Sequence, residues 1–183
     1  MQLTTTLNRI KVYSPGLAGW QKLLKYLGKT VADDKPLAFN TILDSNGLED
    51  TLWCCRTTPE YDRVWRLYIV WCAQQVQHLM TDQRSLNALD VAERHANGQA
   101  TDEELSAAWI AAEDAEDTVR DAGASQAAQS AAWAAAQTAQ TARKTALAIG
   151  DAAREAARAI GDAARDAARA VQAAKFREMV SGG

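Results

Sequence analysis

The chain is poor in proline, glycine, cysteine and histidine. Its 183 residues include three prolines, ten glycines, three cysteines and two histidines. So few breakers favour helix. Cys54, Cys55 and Cys72 are odd in number and two are adjacent, which is no disulfide framework, and no C-x-x-C spacing suggests zinc. Two histidines argue against a His-based metal site, and no cofactor is expected. There is no Gly-rich phosphate loop, no H-E-x-x-H and no assignable nucleophile–base pair, so an enzyme is not expected. The opening residues MQLTTTLNRI lack the apolar region of a signal peptide. A basic excess is also missing. The formal net charge is −3, which argues against generic nucleic-acid binding. Charge is uneven: Met1–Gly98 carries 11 Lys/Arg against 10 Asp/Glu, and the remainder 9 against 13.

What is present is organised around Pro59–Met80, PEYDRVWRLYIVWCAQQVQHLM. At 100° per residue, Trp65, Leu67, Tyr68, Ile69, Val70, Trp71 and Cys72 cover nearly every direction. Only Arg63, Arg66, Gln74 and Gln77 form a polar stripe. A helix so apolar belongs at the centre of a bundle, and its ends are too polar to span a membrane.

Before it, short helices are expected over Thr4–Tyr13, from the Ser14-Pro15 cap to Gly28, over Pro36–Ser45 with Asp34 as cap, and over Leu48–Arg56. After it, Thr81-Asp82 caps a helix with Leu86, Leu89 and Ala92 inward, ending at Asn97-Gly98. No strand is expected. The second half is Ala-rich. Thr101–Glu104 reads as a capping box. Asp121–Ser125 is the best break in what would otherwise be a helix of roughly 120 Å, and folding there makes a hairpin. An 11-residue repeat follows: IGDAAREAARA from Ile149 and IGDAARDAARA from Ile160. That period barely drifts around a helix. It places Asp151, Arg154, Glu155, Arg158, Asp162, Arg165, Asp166 and Arg169 on one solvated stripe, and Ile149, Ile160 and Val171 on a broad alanine face expected to be buried. Ala-rich antifreeze proteins share the period but expose that row. The expectation is an all-α multi-helix bundle, a short-helix bundle over 1–98 with an Ala-rich hairpin or array over 99–183 packed on it, the two forming one domain or two.

Two sets of residues stand out as candidate binding groups. Arg66, Gln74 and Gln77, with His78 at their edge, make either a polar pocket or the solvent side of the central helix. Trp109 lies at nearly the angle of Glu113 and Glu116, and Trp133 sits amid Gln126, Gln137, Gln140 and Lys144. A hairpin brings the two tryptophans to similar heights on adjacent helices. Tryptophan on a polar face needs a cover: the rest of the fold, a partner protein or a stacked nucleobase-like ligand. The run Asp102–Asp121, with eight carboxylates against one arginine, suits a basic partner or a plain soluble surface. Asp90, Glu93, Arg94 and His95 read as a solvated face with an i,i+4 pair.

The strings LLKYLGK, TILDSNGLEDTLWCCR, RLYIVWCAQQVQHLM and ALDVAERHANG, followed by the Ala/Arg/Asp/Trp-rich tail, cover most of the chain. In these the chain resembles uncharacterised helical proteins of bacteria, prophages and phages that look like immunity proteins. The resemblance implies a phage- or prophage-type binding protein in the cytoplasm of a bacterial host, neutralising a toxin or host-defence factor. It carries over no functional residues. Two other expectations stand beside it: sequestration of a small nucleotide-derived immune signal, and homo-oligomeric assembly through the alanine faces.

Overall fold

Helix-forming composition becomes helix almost throughout. The computed structural model describes residues 2–144, 156 and 165–182. It contains α1 (Leu7–Val12), α2 (Leu17–Tyr26), α3 (Phe39–Asn46), α4 (Leu48–Cys54), α5 (Asp62–Gln74), α6 (Gln83–Ala96), α7 (Asp102–Asp121), α8 (Gln126–Lys144) and α9 (Arg165–Ser181). These pack on one another, and the fold is all-α.

One small departure is a two-stranded antiparallel ladder of β1 (Thr4–Thr5) and β2 (Leu37–Ala38). Two residues per strand carry no readable alternation. Tertiary contacts hold them: the Leu3 N–H donates to Val180 O at 2.8 Å, and the Thr5 and Thr57 hydroxyls meet at 2.7 Å in the interior. The ladder moves two expected boundaries. The first helix starts after Thr6, whose hydroxyl accepts from Arg9 N–H, and the third starts at Phe39 rather than Pro36. Asp34 does not cap it but accepts from the Asn8 amide at 2.9 Å. The second helix starts after Gly16, beyond the expected Ser14-Pro15 cap, and Ser14 occupies the left-handed region at φ 52°.

The central helix is shorter than its sequence suggests. Single 3₁₀ turns, Pro59–Tyr61 and Gln77–Leu79, flank α5. The chain leaves α geometry after Gln74, and Val76 and Met80 both reach the core while Gln75, Gln77 and His78 stay exposed. Its centrality holds. Trp65, Tyr68, Ile69, Cys72 and Ala73 enter the larger core, and Val70 enters a smaller one with α6, α7 and α8.

The caps of the second half fall where the sequence puts them. Thr101 and Glu104 form a reciprocal capping box. The α7–α8 turn uses Gly123 at φ 68°, and the Ser125 hydroxyl accepts from Ala128 N–H. Alanines 131, 134 and 135 of α8 join the same core as Leu7, Phe39 and Leu52. From α9, Phe176 stacks on Trp65 with centroids 5.7 Å apart, and meets Phe39 and Tyr68 edge-on. The repeat row is different. Val171 is 53% exposed rather than buried, because Gln172, Phe176 and Val180 form the inward face. Ile149, Ile160, Gly150 and Gly161 lie outside the described residues. Arg169, placed on the solvated stripe, pairs with Glu49 of α4.

Candidate functional site

Helix α7 turns Leu105, Ala108, Ala112, Ala115 and Val119 inward. Its acids therefore line the outer side. Some are partnered: Asp102 with His95 at 2.8 Å, Glu104 with Arg94 at 3.8 Å, and Glu116 and Asp117 with Arg120. Glu103, Glu113, Asp114 and Asp121 are exposed and have no ion-pair partner among the described residues. Helical spacing sets Ile110, 54% exposed, in their midst. Burial, aided by repulsion from Asp117 and Glu113, raises the Glu116 carboxyl, with Arg120 opposing.

The two candidate tryptophans differ in burial. Trp109 is half-buried against the alanine-rich core of α6, α7 and α8. Trp133 is 38% exposed on the outward side of α8. Thus the fold covers much of Trp109, and Ile110, which sequence reading passed over, is the exposed apolar group of α7. It sits one residue from Trp109, and only the observed rotation of the helix distinguishes them.

The polar stripe of the central helix does not converge. Arg66 reaches Asp62 and His95 Nδ1, each at 3.5 Å. The Gln74 amide donates to Glu93 at 2.8 Å. Both tie α5 to its surroundings, whereas Gln77 and His78 stand exposed on the 3₁₀ turn beyond. The expected Asp90–Arg94 pair is present at 2.9 Å.

A cleft of about 280 Å³ opens elsewhere, between α2 and the corner of α3 and α4. Gly47, at φ 88° and ψ 179°, permits that corner. Gly19 permits α2 to approach it: Asn46 Nδ2 donates to Gly19 O at 2.9 Å, and a Cβ at position 19 would lie 2.6 Å from Asp50 Oδ2. The lining includes half-buried Trp20 and Trp53, with Ile42 and Leu23. Among the described lining residues the one carboxylate is Asp50, which accepts from Asn46 at 2.7 Å and has no cation paired with it among the described residues. The Arg56 guanidinium already lies 4.4 Å from the Trp53 ring centroid. Cys54 also lines the cleft, but burial and the nearby Asp50 charge push its thiol up to about 12. The clue available in sequence was the i,i+3 spacing of Asp50 and Trp53 on one short helix. Sequence alone does not reveal that Trp20 faces them.

Among the described residues, no three His, Cys, Asp or Glu are placed to hold a metal ion, and no helix is long and apolar enough to cross a membrane. No family model, curated protein or solved structure matches the chain.

Proposed function

We propose that the protein is a non-enzymatic binding protein that engages a basic partner polypeptide, a bacterial toxin or host-defence factor, on the outer face of α7. One observation carries the reading: exposed Ile110 shares the outer face of α7 with Glu103, Glu113, Asp114 and Asp121, which have no ion-pair partner among the described residues. An apolar contact on a face whose charge is of one sign gives both anchoring and steering. Trp133, exposed on the adjoining helix, is the second apolar group assigned to this reading. The toxin or defence identity of the partner rests on the resemblance described above. The non-enzymatic part is supported by the burial of all three thiols, which keeps them protonated. A nucleotide-derived ligand has less to rest on, because the described residues of the cleft offer phosphate a carboxylate and no lysine or arginine.

Native mass spectrometry of the protein purified from its bacterial host tests this. A basic polypeptide bound in fixed stoichiometry is expected. The double variant Glu113→Lys/Asp114→Lys should slow association by about tenfold or more at low salt. Trp133→Ala should speed dissociation. A partner whose binding ignores both changes would remove the surface from consideration.

A further inference from the structure

We infer that the cleft between α2 and the α3–α4 corner seats a basic side chain, arginine or lysine, of a partner polypeptide. This site is separate from the α7 face and stands without it. Four observations meet there. Two tryptophan rings line the space, and aromatic faces attract cations. The Trp53 ring already has a guanidinium near it, that of Arg56 at 4.4 Å. Asp50 supplies a negative charge that no cation of the described residues neutralises, held in place by the Asn46 amide. Among the described residues that line the cleft there is no lysine or arginine.

Size and surroundings select the source of that cation. At about 280 Å³ the cleft falls just short of the roughly 300–1,000 Å³ of drug-sized sites, and it suits a single side chain. Around its Pro15–Gly16 lip the chain exposes apolar groups: Val12 is 79% exposed, Leu17 70% and Tyr13 44%. Such an apron gains contact from residues flanking an inserted arginine and gains nothing from a free amine. Cys54 at the wall is held as a thiol, so the site binds without covalent chemistry.

The probe is a capped pentapeptide with arginine at its centre and leucine at both ends. Controls are the same peptide with citrulline, which keeps the shape and loses the charge, and n-butylguanidinium, which keeps the charge and loses the chain. Indole N–H resonances, assigned through Trp20→Phe and Trp53→Phe, report occupancy. The Trp20 and Trp53 signals should move and that of Trp133 should not. The arginine peptide should bind about tenfold more tightly than the citrulline peptide. Asp50→Asn should abolish that preference. Gly19→Ala should abolish binding, because its Cβ displaces the Asp50 carboxylate while alanine suits the helix better than glycine. Thermal melts of both variants check that they remain folded. Equal binding of the citrulline peptide, or an unchanged preference in Asp50→Asn, would overturn the cation site. Equal binding of n-butylguanidinium would overturn the polypeptide source. The Glu113→Lys/Asp114→Lys protein should bind the peptide as the parent does, so failure of the α7 surface leaves this result intact.

Discussion

Burial pushes the thiols of Cys54 and Cys72 up to about 12, and Cys55, wholly enclosed, is raised well above its ordinary value. A thiol held protonated is a poor nucleophile. We therefore expect no thiol to react promptly with a disulfide reagent near neutral pH in the native protein, and all three to react after unfolding in guanidinium. Prompt native labelling of Cys54 would show that the cleft wall is more open than described. The tryptophans make the same point about surroundings. Trp65 is 1% exposed in the core, Trp109 is half-buried, and Trp133 is 38% exposed. One residue type thus serves three ends, and helical angle alone separates only the extremes.

Helix starts behave more regularly, since a cap is a local hydrogen bond. Asp82 caps α6 by accepting from Arg84 N–H at 2.8 Å, and its other oxygen accepts from the Arg84 guanidinium at 2.7 Å. The guanidinium hydrogen bond, followed by the backbone one, lowers the Asp82 carboxyl below its ordinary value. A depressed folded pKa stabilises the fold above the unfolded value, and that stabilisation fades as pH falls through the folded value. Asp82→Ala should therefore cost about 1 kcal/mol near neutral pH, and less below about pH 4. Urea unfolding at the two pH values measures both. An equal loss at both would mean that packing, not the charged cap, was removed. Element ends set by tertiary contacts were less legible. Nothing local in Gln75–Met80 marks the end of α5, and Leu37–Ala38 reads as helix until Thr4–Thr5 lies beside it.

The last helix closes the molecule. Phe176 is fully buried among Phe39, Trp65 and Tyr68, the Tyr68 hydroxyl donates to Gln172 O at 3.3 Å, and Leu3 N–H reaches Val180 O. Residues far apart in sequence thus share one core. Phe176→Ala should destabilise the whole bundle by about 3–5 kcal/mol. Circular dichroism of the helices and tryptophan fluorescence should still report one coincident transition. Two separated transitions would show that the first helices fold without α9.

The sequence by itself determined the helical class, the central position of Trp65–Cys72, the capping box at Thr101–Glu104 and the hairpin turn at Gly123. Each depends on composition, periodicity or a hydrogen bond within four residues, so each is written locally. Only the tertiary structure decided where Phe176 inserts, which of Trp109 and Ile110 faces outward, and that Trp20, Asp50 and Trp53 line one cleft. Those outcomes depend on how separate helices rotate and approach. The approach turns on the absent side chain of Gly19 and on the rotation that buries the most apolar surface, neither of which has a period to read.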